Sequence, residues 1–225
     1  MSPRPRQASD EDILKGAFRA IARLGPARLT LADVAREAGV SAAALVQRFG
    51  SKRALLLAVA ADAAGGNDYI FPELRARHRS PLAALVGMAE CMTLMGTTPE
   101  AIANTLAFLQ IDLTDPEFHR HAVRGSSGIH DGLRALIEDA VDAGELLPCD
   151  AGRLAWALQA VMNGSLLNWA VHREGDLVAW IRRDLKTVLE RCTARRAAGA
   201  ITTVHRRVRR GRRDGGGDRA RRRRG

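Results

Sequence analysis

The sequence predicts an all-α fold of nine or ten helices, in which a short N-terminal helical domain precedes a larger helical bundle. Alanine and leucine dominate the middle of the chain and aromatic residues make up only 4%, a composition that favours helix over sheet. Apolar residues recur at helical spacing behind Ser, Thr and Asp residues that can cap helix starts. No alternating strand of convincing length interrupts this pattern.

The composition limits the class of protein. With 225 residues, 46% of them apolar, the chain can bury a sizeable core. No run of about 18 uncharged apolar residues occurs, and the N-terminus lacks the apolar stretch of a signal peptide, so we expect a cytoplasmic protein without a membrane segment. Cys91, Cys149 and Cys192 are far apart and odd in number, which indicates buried free thiols rather than a disulfide framework or a zinc site.

The net charge of +10 is unevenly distributed. Residues 195–225 contain thirteen arginines and two aspartates, so this tail alone carries +11. Residues 1–55 carry +5, whereas residues 56–194 carry −6. A basic N-terminal part on an acidic body suits a protein that approaches phosphates with one end only.

The first helix begins behind Ser9, because the three acidic residues that follow favour the positive end of a helix dipole. Gly25-Pro26 should end it at about Leu24. Its apolar side consists of Ile13, Leu14, Ala17, Phe18 and Ile21.

Residues 30–56 predict two short helices, a tight turn and the start of a longer helix. Thr30 with Asp33 is a capping-box-like start, and Gly39 supplies the left-handed residue that ends the first short helix. Ser41 can cap the second helix, over residues 42–48, and Ser51 the next. This order is that of a helix-turn-helix, whose second helix enters the DNA major groove; a helical hairpin inside an ordinary bundle is the alternative.

The segment resembles the DNA-binding motif of the tetracycline-repressor (TetR) family. In that motif a Thr opens the first helix, an Ala-Gly-Val-Ser turn follows, and Phe-x-x-Lys ends the recognition segment. This chain carries Thr30, residues 38–41 as Ala-Gly-Val-Ser, and Phe49-Gly50-Ser51-Lys52. The resemblance implies that residues 9–56 form a three-helix DNA-binding domain.

The chain departs from the family at three positions of the recognition segment. Ala43 and Ala44 replace the usual Gly and hydroxyl residue, and Val46 replaces the usual Tyr. Two side-chain contacts to phosphate are therefore missing. Other residues and the helix N-termini must then make the contacts to the DNA backbone.

Seven residues are candidates for DNA binding. Thr30, Arg48 and Lys52 would contact phosphates, and Gln47 would make a bidentate contact to adenine. Small apolar side chains on the same helix could meet thymine methyl groups. The full set is Thr30, Ser41, Ala42, Ala44, Gln47, Arg48 and Lys52.

Residues 57–194 should form a helical ligand-binding and dimerisation domain, as the resemblance implies. The helix from Ser51 should run to about Ala64, and residues 69–79 should be irregular. A kink or local break is expected between Gly125 and Gly128. The later helices should cover residues 80–96, 98–113, 115–144, 151–172 and 177–194.

Three of these body helices carry Met, aromatic or amide side chains on one face. Such stripes are typical of core packing, in which Met fills irregular gaps. The family resemblance instead implies a cavity for a small apolar effector within the body. The ligand-binding candidates are Met88, Met92, Met95, Asn104, Phe108, Trp156, Gln159 and Asn163.

The last two helices, about residues 151–194, carry more apolar residues than one chain's core needs. We expect them to pair with the same helices of a second subunit in an isologous four-helix interface. Such a homodimer would present two recognition helices to an inverted-repeat operator in double-stranded DNA.

Both ends of the chain should be flexible. Residues 1–8, with Arg4 and Arg6, form an arm that either reaches a minor groove or is a plain disordered terminus. Residues 195–225 are rich in Arg and Gly, which predicts a disordered tail. This tail either adds salt-sensitive affinity for DNA or is incidental.

No enzyme, cofactor or metal motif is apparent. The sequence has no Gly-rich phosphate loop, Ser-His-Asp order or His-Glu-x-x-His. His119, His121 and His130 lie near Asp115, but side chains two apart on a helix point away from each other, so we expect a solvated helix start and no metal or cofactor.

The sequence, with its resemblance, therefore predicts a sequence-specific DNA-binding transcriptional regulator. Its expected form is a dimeric repressor that a small-molecule effector releases from its operator. Two alternatives remain open: a helical protein that coats nucleic acid non-specifically through the Arg-rich tail, and an activator of the same fold.

Overall fold

The computed structural model describes residues 8–193, and within this range the chain forms ten α-helices and one short 3-10 helix. No β-strand occurs in the range, which contains only one isolated bridge, between Leu146 and Thr193. The all-α prediction is therefore confirmed. The predicted arm, apart from Ala8, and the predicted tail lie outside the described residues.

The helices take their labels in chain order. They are α1 Asp10–Arg28, α2 Leu31–Ala38, α3 Ala42–Phe49, α4 Lys52–Gly65, α5 Asn67–Arg77, α6 Pro81–Cys91, the 3-10 helix Met92–Met95, α7 Pro99–Thr114, α8 Pro116–Asp142, α9 Ala151–His172 and α10 Leu177–Leu189.

Side-chain caps begin nearly every helix where the sequence places them. Ser9 and Thr30 form capping boxes with Asp12 and Asp33. The α1 segment departs from helical geometry at Gly25, where φ is 74° and ψ is 158°, so the regular helix stops at the predicted place. The remaining caps are Ser41, Ser51, Ser80, Thr98, Asp115, Asp150 and Asp176.

The expected irregular segment at residues 69–79 is wrong, because most of it is helix α5. Pro72 lies inside this helix and removes one backbone donor from it. Burial outweighs that loss: Phe71 and Leu74 are each only 5% exposed and belong to the body core.

The expected break between Gly125 and Gly128 is also wrong, since α8 is one continuous helix of 27 residues. Both glycines face residues near the α4–α5 junction: Asn67 donates a hydrogen bond to the Gly125 carbonyl at 2.9 Å and fills the space that a Cβ at Gly128 would take. Gly132 lies under the Phe71 ring in the same way. The glycines permit close helix packing rather than a bend.

Two further expectations need correction. Helix α10 ends at Leu189 instead of about Ala194, because the chain turns there and the Cys192 carbonyl accepts a hydrogen bond from the Leu147 amide at 2.7 Å. All three cysteines are free, but Cys149 is exposed, not buried.

Buried side chains form two clusters. One joins α1, α2, α3 and α4, and it also takes in Phe118 from the start of α8. The other fills the body between α5, α6, α8, α9 and α10. Helix α4 runs across the predicted domain boundary at residues 56 and 57.

Candidate nucleic-acid interface and ligand cavity

Helices α2 and α3 form a tight helix-turn-helix. Gly39 has φ 68° and ψ 30°, the left-handed conformation that ends α2, and the Ser41 hydroxyl accepts a hydrogen bond from the Ala44 amide at the start of α3. Leu45 is fully buried and anchors α3 to the domain core. The turn therefore fixes which side of α3 faces outward.

The outward side of α3 is free of other helices within the described residues. Ala42, Gln47 and Arg48 are exposed, Ala44 is half-buried, and Val46 is 49% exposed. This surface is mostly methyl groups with one amide, which suits contacts to thymine methyl groups and to one adenine edge.

Arg48 is exposed but not unpaired. Its guanidinium donates to the Ala8 carbonyl at 2.5 Å and lies 3.2 Å from an Asp10 carboxylate oxygen. Arginine has five N–H donors, so this link to the start of α1 leaves others for a phosphate. The contact also ties α3 to the first residues of the chain that the structure describes.

Arg28 is a basic residue that sequence reasoning missed, and it lies beside two of the predicted phosphate contacts, Lys52 and Thr30. Lys52 donates to the Ala27 carbonyl at 3.2 Å, which brings its ammonium group next to the last turn of α1. Arg28, the last residue of α1, is exposed and has no hydrogen-bond or ion-pair partner within residues 8–193. Thr30 uses its hydroxyl to cap α2 and is exposed at the same place.

The other arginines of the helix-turn-helix domain are paired within the chain. Arg23 and Arg19 lie 3.0 and 3.9 Å from Glu37 oxygens, and Arg36 pairs with Asp33. The hydrogen bonds from Thr30 and then the Arg36 guanidinium hold the pKa of Asp33 below its ordinary value.

Arg53, at the start of α4, joins the helix-turn-helix domain to the body. It donates to Glu117 at 2.5 Å and to Asp115 at 2.7 Å, both at the start of α8. Asn104 on α7 makes a second link, because its amide donates to the Ala22 carbonyl of α1 at 3.0 Å. These polar contacts link the helix-turn-helix helices α1 and α4 to α7 and α8 of the body.

A cavity of about 370 Å³ lies between α1, α4, α7, α8 and α9. It opens to solvent beside Leu109 and Leu167, which are 46% and 47% exposed. Its walls are Phe18, Ile21, Val59, Ala60, Ala63, Ala64, Met95, Thr105, Leu106, Phe108, Leu109, Asp112, His121, Ala122, Gly125, Asn163, Leu166 and Leu167.

Three of the predicted ligand-binding residues line this cavity, namely Met95, Phe108 and Asn163. Asn104 lies just outside it and contacts α1. The other four lie elsewhere: Met88 and Met92 pack in or against the body core, Trp156 is on the surface, and Gln159 donates to Ser126.

Apart from Asn163, the polar part of the cavity wall was missed from the sequence. Thr105 is 8% exposed and its hydroxyl has no hydrogen-bond partner. Asp112 follows seven residues later on α7, and burial raises the pKa of its carboxyl, while His119 and then His121 act in the opposite direction. The spacing of Thr105, Phe108 and Asp112 is helical and could have indicated one shared face.

Helix α9 exposes a line of large apolar side chains. Trp156, Leu167 and Val171 are 53%, 47% and 76% exposed, and Asn163 lies between them. Helix α10 differs, because Ile181, Leu185 and the other apolar residues of its inner side are buried within the chain. Of the two predicted dimer helices, α9 therefore has the free apolar surface.

The three histidines near Asp115 were not expected to hold a metal. Within residues 8–193 no three His, Cys, Asp or Glu side chains converge as metal ligands would. His130 instead stacks on Trp156, with ring centroids 4.5 Å apart. None of the helices in this range is long and apolar enough to cross a membrane.

Two family models match the chain and together cover most of it. Residues 13–59 match the model described as bacterial regulatory proteins, tetR family. Residues 81–194 match the model of the BetI-type transcriptional repressor, C-terminal. The first match contains α2 and α3, and the second contains α6 to α10.

Individual relatives agree with these matches. The HTH-type transcriptional regulator BetI of Agrobacterium fabrum is 32% identical over 175 residues, which cover 73% of this chain and 76% of that protein. A TetR-family regulator from Agrobacterium tumefaciens has a similar fold, with a TM-score of 0.64, 24% identity, and coverage of 82% of this chain and 97% of that one. FadR of Bacillus subtilis, solved in complex with stearoyl-CoA, gives a TM-score of 0.61 at 16% identity, covering 80% of this chain and 98% of that one.

Proposed function

Since this chain belongs to the tetR family of bacterial regulatory proteins and is a transcriptional regulator, we propose that it is a dimeric repressor released from an inverted-repeat operator by a small effector. The observation that carries the proposal is the position of the cavity. Its wall includes Phe18 and Ile21 of α1 and Val59 and Ala63 of α4, so a bound molecule touches the helices that support α3.

The DNA-binding part of the proposal assigns two kinds of contact. Gln47 and the methyl groups around it read bases in the major groove, which gives a modest preference at few positions. Arg28, Lys52 and Arg48 hold phosphates, helped by the N-terminus of α2 behind Thr30. Arg28 and Lys52 have no carboxylate partner within residues 8–193 and Arg48 is paired only with the exposed Asp10, whereas the other described arginines of this domain are held in ion pairs away from the outer side of α3, so these three carry the electrostatic part of binding.

The dimer part of the proposal places the interface on α9. The exposed line of Trp156, Leu167 and Val171 is self-complementary around a two-fold axis, and Asn163 offers a hydrogen bond within it. Charged side chains on the outer side of α10, such as Arg183 and Lys186, would form the rim. Two copies joined in this way present two α3 helices to one face of a duplex.

The operator is released because the effector binds one arrangement of the helices more tightly than the other. An effector that fills the cavity favours the arrangement of α4 against α7 and α8 that accommodates it, and this shifts the population away from the operator-binding arrangement. Arg53 and its two carboxylate partners transmit the change, because they fix the start of α4 to the start of α8.

Selection of bound duplexes from a random DNA library, with the full-length protein, tests the proposal. We expect an inverted repeat whose half-sites are centred about one helical turn, or a multiple of it, apart. A recovered single half-site, or no sequence preference at all, contradicts the dimeric regulator. A reporter gene behind the recovered repeat then separates a repressor from an activator.

The alternative of non-specific coating through residues 195–225 is tested by truncation after Thr193. A regulator keeps its preference for the selected repeat over scrambled DNA, although its total affinity falls and becomes less salt-sensitive. A coating protein loses nearly all affinity for both duplexes.

A further inference from the structure

The cavity wall is apolar with a few polar groups at defined places. Four of its eighteen lining residues are polar, namely Thr105, Asp112, His121 and Asn163. A molecule that fills it must therefore have an apolar body with polar atoms only where these side chains lie.

Asp112 is the one carboxylate in this wall. It has no hydrogen bond and no ion pair within residues 8–193, and it is partly buried between α7 and α8. The charged groups that act on it are His119 and His121 at the start of α8. An ionised carboxylate only accepts hydrogen bonds, so a partly desolvated one favours a ligand that brings N–H donors and positive charge.

Thr105 defines a second polar point, at the buried end of the same face of α7. Its Oγ1 is enclosed and unpartnered, so a ligand atom that hydrogen-bonds to it removes an unsatisfied group. Seven residues at 1.5 Å rise place it about 10 Å from Asp112 along the helix axis. The apolar side chains of Leu106, Phe108 and Leu109 lie on α7 between the two points.

We propose that the cavity binds an elongated apolar primary or secondary amine in its protonated form, with the ammonium group at Asp112 and a second polar atom at Thr105. This assignment rests on the proposed effector site above and specifies its ligand class. A carboxylate ligand meets like charge at Asp112, and a neutral alcohol leaves that charge uncompensated. A quaternary ammonium supplies charge but no N–H donor, so it should bind less tightly than a primary amine of the same length.

Lower pH weakens amine binding through the carboxyl at the ammonium site. Protonation of Asp112 removes the anion. Burial raises the pKa of this carboxyl, against the opposing effect of His119 and then His121, so the loss begins above the ordinary titration range of an aspartate. The Asp112→Asn protein should therefore lose this pH dependence.

Titration calorimetry on the full-length dimer tests the ligand class with four eight-carbon probes: octylamine, 8-amino-1-octanol, 1-octanol and octanoate. We expect both amines to bind more tightly than the other two. Asp112→Asn should weaken octylamine binding by about tenfold or more and leave 1-octanol binding unchanged or tighter, because the uncompensated charge is gone. Thr105→Val should weaken the binding of 8-amino-1-octanol by about threefold to tenfold, and the binding of octylamine by less.

Asp142→Asn is the matched control, since Asp142 is exposed at the end of α8 and outside the cavity. Octanoate binding more tightly than octylamine, failure of both amines to bind, or an unchanged octylamine affinity in Asp112→Asn overturns the proposal. If Asp112→Asn does not fold, the ranking of the four probes on the unaltered protein still decides it.

Operator release is measured separately, by fluorescence anisotropy on the selected duplex. If octylamine binds but leaves the operator complex intact, the ligand class stands and effector-driven release fails. If other molecules release the operator while amines do not bind, the regulator stands and the ligand class fails.

Discussion

Gln47 and Lys52 lie five residues apart in the sequence but have different surroundings. Gln47 is exposed on the outer side of α3, with no hydrogen-bond partner within residues 8–193. Lys52 is half-buried at the start of α4, where the Ala27 carbonyl orients its ammonium group. One side chain can reach a base edge, and the other is placed beside the DNA backbone.

We predict that Gln47→Ala relaxes sequence preference at one base pair per half-site, at a cost of about 1–3 kcal/mol for the preferred base. Lys52→Ala should weaken binding to all sequences alike and reduce the salt slope by about one per half-site. Competition binding with single-base variants of the operator distinguishes these effects. Gln110→Ala, an exposed change on α7, is the control; equal loss of selectivity from Gln47→Ala and Lys52→Ala contradicts the two roles.

Local sequence was sufficient to predict the helix caps, but not to predict which groups the charged side chains contact. The Thr30 and Ser41 hydroxyls accept hydrogen bonds from amides three residues later, so a short sequence motif is enough to identify these caps. Arg48 instead contacts Ala8 and Asp10, about 40 positions away in sequence. Only the packing of α1 against the helix-turn-helix brings such groups together.

At the scale of elements, the contact between α5 and α8 depends on the small residues of α8. The Phe71 ring occupies the space above Gly132, and Asn67 occupies the space above Gly128. In the sequence Gly125 and Gly128 indicated a kink or local break, because a single chain does not show which surface will approach such glycines. The close packing of α5 on α8 also explains why α5 forms in spite of Pro72.

Gly132→Ala should destabilise the protein by about 1–3 kcal/mol, because its Cβ would overlap the buried Phe71 ring and the core resists such overpacking. Thermal and urea denaturation measure the loss. Gly65→Ala is the control, since no atom lies within 4 Å of the position of its Cβ; it should be neutral or slightly stabilising. Equal stability of the two variants would show that α5 can move away from α8.

Arg53 is the polar link between α4 and α8. The backbone amide of Glu117 and then the Arg53 guanidinium hold the pKa of Asp115 below its ordinary value, so this link is present near neutral pH and is lost as pH falls through the lowered pKa.

We predict that Arg53→Met reduces the factor by which an effector lowers operator affinity, while effector affinity itself changes little. Operator binding with and without octylamine, or with any effector found by screening, measures this factor. The matched variant is Arg134→Met, which removes an exposed pair with Glu138 on α8 alone. The role of Arg53 is refuted if both variants keep the full factor.

At the scale of the whole molecule, the sequence predicted the all-α fold of nine or ten helices. It predicted the cavity only in part: Met95, Phe108 and Asn163 were named, whereas Phe18, Val59 and Asp112 were not. The missed residues come from α1, α4 and the far end of α7, which meet only after the two domains dock. Periodicity identifies the inner face of each helix but not which inner faces share a cavity.

Val171→Asp should dissociate the proposed dimer, because it places a charge at the most exposed apolar position of α9. Sedimentation velocity at micromolar concentration measures the change in mass, and circular dichroism checks the fold. Leu94→Asp, which alters an exposed apolar residue outside α9, should leave the mass unchanged. A monomeric unaltered protein contradicts the proposed dimer, and a dimeric Val171→Asp protein places the interface elsewhere.

The stacking of Trp156 on His130 gives the molecule a built-in optical reporter. The chain has three tryptophans, and Trp169 and Trp180 are largely shielded from solvent, so Trp156 dominates the water-exposed emission. Subunit association through α9 would dehydrate this indole and shift its fluorescence to shorter wavelength. Assembly could thus be followed by serial dilution of the unlabelled protein in a cuvette.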